Sequence, residues 1–221
     1  MHNVITKDYP ENQSGGIMIC GINFGYSAYD EKLDDSGITL TKEQKSYFSD
    51  TTVNNTKFRN RILNWLKSWD IISSDSSKRE HSFERSFFQT NWLMTQTNSV
   101  SSDKKISVNY LVQEADSILG LLASRKPQAI LFFGMDLIEA LNDISIRDQV
   151  EAIFGSRSGN AIIHRIQDIN TGRCFRVLTQ SFGCTQIIGL PHPQARGLSD
   201  EQAKEFGSVV KPIIVGVKNL P

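Results

Sequence analysis

Three short segments of the chain carry side chains that could do chemistry together. The first is Ile19-Cys20-Gly21-Ile22-Asn23-Phe24-Gly25-Tyr26-Ser27. Two glycines around an asparagine let the backbone approach a ligand closely, and the Asn23 side-chain carbonyl could hold a water. The same pattern also suits a plain glycine-rich connection with Asn in a turn. Phe24 and Tyr26 suit core or rim packing, or a stacking surface for a flat ligand. The second segment is Phe87-Phe88-Gln89-Thr90-Asn91-Trp92. The Asn91 amide offers one acceptor and two donors, the complement of the Watson–Crick edge of a pyrimidine. A turn asparagine at a strand end is the alternative. The third is Leu190-Pro191-His192-Pro193-Gln194-Ala195-Arg196-Gly197-Leu198. Of the four histidines, His192 alone sits between prolines. Prolines restrict the backbone on both sides, so the imidazole is held. A held imidazole can stabilise an anion developing on a leaving group; otherwise it is a surface histidine in a rigid turn. His2, His81 and His164 lack such a setting and read as structural or solvent-exposed.

Charge narrows the function classes. Lys+Arg is 24 and Asp+Glu is 24, which argues against coating nucleic acid by bulk charge alone. The balance is uneven locally. Between positions 154 and 198 stand Arg157, Arg165, Arg173, Arg176 and Arg196 against a single acid, Asp168, a net of +4. Such a stretch suits a face that grips phosphates, or arginines that pair with acids elsewhere. No run approaches the roughly 18 apolar residues of a membrane span. The start of the chain lacks the basic and apolar regions of a secretory signal. The three cysteines, Cys20, Cys174 and Cys184, are odd in number and form no CxxC pair. They suit neither a disulfide framework nor a zinc or iron–sulfur ligand set. Cys20 and Cys184 lie in or near apolar runs and read as buried thiols. A reducing compartment follows, with the cytoplasm as default.

The elements that must position these side chains follow from periodicity. The length of 221 residues fits one domain with a substantial core. Residues 1–15 are polar and read as a loose lead-in. Ile17-Met18-Ile19-Cys20, Ala129-Ile130-Leu131-Phe132-Phe133 and Gln186-Ile187-Ile188-Gly189-Leu190 are short continuous apolar runs, as buried parallel strands require. Phe87 to Trp92 is a further short strand or the exit of one, and 161–166 and 175–179 are two more, joined by the turn Asn170-Thr171-Gly172. Residues 25–55 are turn-rich and include the charged cluster from Tyr29 to Asp35; 73–82 and the polar stretch from Ser99 to Lys105 read as loops. Phe58, Ile62, Trp65, Leu66 and Trp69 recur at helical spacing. Val108 to Leu122 keep one apolar face behind a Ser107 N-cap. A helix runs from about Asp136 to Leu141, and another begins at Ser199, with Gln202 completing a capping-box pattern. Strands alternating with helices mean a layered α/β domain with a mainly parallel sheet. Ligands on such sheets bind outside the carboxyl ends of the strands, which selects Gly21 to Ser27, Thr90-Asn91 and Pro191 to Leu198.

Taken together, the three segments resemble the uracil-DNA glycosylase superfamily. Gly21-Ile22-Asn23-Phe24-Gly25 is similar to the Gly-x-Asn-Pro-Gly motif of its mismatch-specific and single-strand-selective branches, with Cys20 before it and Ser27-Ala28 after it strengthening the match. Lys126-Pro127-Gln128-Ala129-Ile130-Leu131-Phe132-Phe133-Gly134 is similar to that family's central strand. Leu190-Pro191-His192-Pro193 stands where the single-strand-selective and classical enzymes carry His-Pro-Ser. Phe24 replaces the usual Pro, Gln194 replaces the Ser that touches a phosphate, and the first motif has no Asp. The resemblance implies a single domain over 1–221, a three-layer α/β/α sandwich, and hydrolysis of the N-glycosidic bond of uracil or a related deaminated base flipped out of DNA. It implies that Asn23 places the attacking water and that His192 stabilises charge growing on uracil O2. Asn91 would read the base edge, with Gly21, Ile22, Phe24, Gly25 and Tyr26 around it. Pro193, Gln194, Ala195, Arg196 and Leu198 would contact DNA, with Ala195, Arg196 and Leu198 filling the gap the base leaves. It implies no metal and no organic cofactor, a monomer, and damaged single- or double-stranded DNA as partner. A non-catalytic member of the same fold, binding nucleic acid, a nucleotide or a protein, is the rival reading.

Overall fold

The computed structural model describes residues 4–25, 57–72, 82–94, 96–97, 106–168 and 171–218. Tyr26, the rest of 25–55 beyond Gly25, the loop over 73–81, the stretch from Ser99 to Lys105 and Asn170 of the hairpin turn lie outside the described residues.

A six-stranded, mostly parallel mixed sheet is flanked by helices. Its strands are β1 (Ile17–Gly21), β3 (Phe87–Asn91), β5 (Ala129–Phe133), β6 (Ile162–Gln167), β7 (Cys174–Phe182) and β8 (Thr185–Leu190), in the order β3-β1-β5-β8-β7-β6. The first four are mutually parallel; β7 and β6 add an antiparallel edge. β2 (Phe24–Gly25) and β4 (Gln96–Thr97) form a separate two-residue parallel ladder.

Alternation along the strands sends side chains to two cores. Ile17, Ile19, Phe87, Leu131, Phe133, Ile188 and Leu190 meet α2 (Lys57–Ser68), α3 (Ser82–Arg85), α8 (Asp200–Glu205) and α9 (Gly207–Lys218). Met18, Cys20, Phe88, Ile130, Phe132 and Ile187 meet α4 (Val108–Gln113), α5 (Ala115–Arg125), α6 (Met135–Leu141) and α7 (Arg147–Phe154). α2 and α3, between β1 and β3, thus lie on one face, and α4 and α5, between β3 and β5, lie on the other. The chain reverses its direction of winding beside β1 and β5, and the crevice at that reversal lies at their carboxyl ends.

Four expectations need correction. Residues 4–15 are not a loose lead-in: Ile5 N–H donates to the Gln89 carbonyl at 2.9 Å, covering the free edge of β3. There, α1 (Pro10–Gln13) buries Asn12, whose side chain bonds the Tyr9 N–H and the Lys7 and Phe87 carbonyls. The helix expected to run unbroken from Val108 divides at Glu114. The Leu111 carbonyl, which residue 115 would use in an unbroken helix, accepts from Trp92 Nε1 at 2.8 Å. The final helix also divides, at Phe206. Cys184 is exposed in the β7–β8 turn rather than buried, because the turn carries it clear of both cores. The Ser107 cap forms as expected, accepting from the Tyr110 N–H. Among the described residues, no helix is long and apolar enough to cross a membrane.

Candidate active site

The parallel strands β1, β3 and β8 put Gly21, Asn91 and the following His192 at the same end of the sheet. β1 and β3 pair in register to their last residues, Gly21 opposite Asn91. Pairing then continues past the sheet: Trp92 N–H donates to the Gly21 carbonyl at 2.9 Å and Leu93 N–H to the Ile22 carbonyl at 2.8 Å. Phe24 pairs with Gln96 further on. The half-buried Asn23 is therefore carried on a segment tied along both its flanks to the chain around Asn91.

Gly21 is required here by space rather than by flexibility. A Cβ at this position would collide with Asn91 Oδ1 and would also stand 3.6 Å from Phe58 Cζ. The missing side chain is the room in which the buried Asn91 amide sits. Ile22 turns its side chain onto Gly134 at the end of β5 and so packs rather than faces a ligand.

His192 follows β8 and is half-buried. Its ring lies 5.4 Å from that of Phe58, which also meets Phe133 at 5.6 Å edge-on. Its Nδ1 accepts the Gln194 N–H at 3.2 Å. An acceptor at Nδ1 puts the neutral ring's proton on Nε2. Burial pushes the imidazole pKa below its ordinary value, because the charged form loses hydration. At neutral pH the ring is thus a neutral Nε2–H donor. Among the described residues no hydrogen bond uses that Nε2–H.

Arg61 and Phe58, both on α2, are residues that sequence reasoning did not single out for the site. The Arg61 guanidinium donates from Nη1 to the Pro193 carbonyl and from Nη2 to the Leu198 carbonyl, and its Nε lies 3.2 Å from Asp200 Oδ1. One side chain thereby holds both ends of the loop that follows His192. The ring of Phe58 spans Gly21 and His192. The sequence signal was limited: Phe58 opens an apolar stripe, and Arg61 stands one position before Ile62 of that stripe.

The remaining expected residues divide. Pro193 is buried, and Gln194 is exposed but contributes its backbone N–H to His192. Leu198 is corrected: it is 5% exposed and belongs to the core beneath α8, so it is an anchor rather than a side chain poised to fill a gap in DNA. Ala195 also packs against that core. Arg196 is the exposed member of the three. The backbone of Phe24 and Gly25 forms β2. His164 is structural, its Nε2 lying 2.9 Å from Thr179 Oγ1. Cys20 is wholly buried, and burial pushes its thiol pKa far up, so it stays neutral. Among the described residues, no three His, Cys, Asp or Glu side chains converge to hold a metal ion.

The arrangement offers one hydrogen-bond donor from a neutral imidazole at the strand ends, close to Phe58. No protein-family model matches the chain, and no curated protein matches it.

Proposed function

We propose that the chain is a monofunctional DNA N-glycosylase with a uracil-DNA glycosylase-like fold, acting on uracil or a related deaminated base flipped out of the strand. The observation that carries this reading is the state of His192. Its Nδ1 is capped by the Gln194 N–H and its pKa is lowered by burial, leaving a neutral Nε2–H donor at the strand ends.

That donor suits a leaving group that departs as an anion. A water held by the Asn23 carbonyl attacks C1′ as the C1′–N bond breaks. The electron pair of that bond leaves with the base, and its charge spreads onto O2. His192 Nε2–H donates to that oxygen more strongly as charge grows, which lowers the barrier. The water loses a proton to solvent and the base anion gains one, so the products are an abasic sugar and the free base. Asn91 reads the base through its amide. No step calls on a metal or an organic cofactor.

The test is a glycosylase assay on labelled oligonucleotides carrying uracil, hypoxanthine or xanthine, single-stranded and paired, with alkali after incubation. His192→Ala is expected to lower turnover about a hundred- to a thousandfold, and Asn23→Ala by a similar factor, with the fold intact by circular dichroism. In the wild type the rate should be level above about pH 6.5 and fall below the lowered His192 pKa. There protonation of Nδ1 breaks its bond to the Gln194 N–H. The same shift makes stability fall as pH drops from the ordinary imidazole pKa toward the lowered one, since the unfolded chain takes up the proton first. Undiminished turnover in both variants rejects this mechanism. Tight binding of lesion DNA without alkali-labile sites replaces it with a binding protein.

A further inference from the structure

The sequence shows a basic stretch, and the structure concentrates two of its arginines beside the His192 loop. Arg173 stands at the tip of the β6–β7 hairpin and is exposed. Its guanidinium lies across Gly197, where any Cβ would overlap Arg173 Nη1. Gly197 also has φ +81°, a conformation that favours glycine. A residue without a side chain thus gives the guanidinium its seat on the loop.

The hairpin tip is itself pinned there. The Arg173 carbonyl accepts from Asp168 N–H at 2.7 Å and from Gln202 Nε2 at 3.0 Å. Gln202 Nε2 also donates to the Ile166 carbonyl, and Ser199 Oγ donates to Asp168 Oδ2 at 3.3 Å. Asp168 Oδ1 also accepts from the Thr171 N–H at 2.9 Å. Among the described residues neither Arg173 nor Arg196 forms an ion pair, whereas Arg61, Arg85 and Arg125 each do. Arg173, seated on Gly197, and the exposed Arg196 beside it, neither ion-paired among the described residues, thus stand at one short loop whose ends Arg61 holds.

We propose that Arg173 and Arg196 form a clasp for the phosphodiester backbone of a polynucleotide, next to the strand-end site. Guanidinium forks match phosphate oxygens in pairs, and a seat on a pinned loop reduces the ordering that binding requires. The clasp rests on the nucleic-acid reading above. It supplies from the hairpin a phosphate contact at a loop where Gln194 offers no hydroxyl.

The test is fluorescence anisotropy with a uracil-bearing oligonucleotide and its lesion-free counterpart, titrated from about 50 to 200 mM salt. Wild type, Arg173→Gln, Arg196→Gln and Arg165→Gln are compared. Each of the first two substitutions should weaken both oligonucleotides equally. Each should also reduce the slope of log affinity against log salt by about 0.7 to 0.9. Arg165→Gln, on the hairpin face away from α8, should leave the slope unchanged, and melting temperatures should not move. Cleavage of uracil DNA by a wild type whose slope survives Arg173→Gln overturns the clasp alone. Displacement by inorganic phosphate at matched ionic strength, without a slope change in the variants, also overturns it and points to a free phosphate. Failure of the wild type to bind either oligonucleotide overturns both the clasp and the glycosylase reading.

Discussion

The parallel half of the sheet and its antiparallel edge treat their side chains in opposite ways. β1, β3 and β5 are buried at every position, while every residue of β6 is exposed or half-exposed. Gln89 and Thr90 of β3 apart, these covered strands carry apolar side chains up to their ends. Asn91 and His192 therefore stand at ends, where close-packed neighbours hold them. The β6–β7 hairpin has an open face and can carry charge, including Arg165 directly opposite Arg176. The difference teaches that position in the site is set by the parallel half, while the hairpin adds a basic surface beside it.

The contrast breaks most readily at Gly21. Gly21→Ala must displace the Asn91 amide, and misplacing a recognition group by about 1 Å can lower turnover about a hundredfold. Its strain should also lower stability by about 1–3 kcal/mol, and urea unfolding beside a rate assay reads both. An unaltered rate would mean that Asn91 does not need its seat.

Arg61→Met tests how firmly the parallel half holds the His192 loop. Two charge-assisted bonds to the Pro193 and Leu198 carbonyls would be lost. The expected cost is about 2 kcal/mol in stability, with turnover falling about tenfold. Arg61→Lys, which cannot reach both carbonyls with one fork, should recover little of it. Full recovery with lysine would assign Arg61 a role of charge alone.

The smallest effect belongs to the hairpin. Arg165→Glu turns a like-charged cross-strand pair into an opposite one and should raise stability by about 0.5 kcal/mol, with no change in turnover. A rate loss as large as that of Arg61→Met would erase the distinction between the two regions.

Much of this was readable along the chain because the signals are local. Ile17 to Cys20 and Ala129 to Phe133 are short unbroken apolar runs each closed by a glycine, which suits a strand buried on both faces. Ser107 caps its helix with its own hydroxyl. Where the outcome depended on a distant partner, the chain was less legible. The break at Glu114 goes with a Trp92 indole arriving from another element. The anchoring of residues 4–15 depends on the free edge of β3, and the α7 pattern of Val150, Ile153 and Phe154 was too short to stand out. Leu198 looked like a free apolar side chain because nothing nearby in sequence shows the core beneath it.

The sequence by itself determined the six strands of the main sheet and the place of Asn23, Asn91 and His192 near strand ends, since residue type and period are local properties. Tertiary structure alone decided that Asn91 occupies the space above Gly21, that Phe58 lies against His192 and that Arg61 holds the loop. It also set Arg173 across Gly197. Those contacts join residues far apart in the chain, and only the strand order and the packing of α2 and the hairpin bring them within reach.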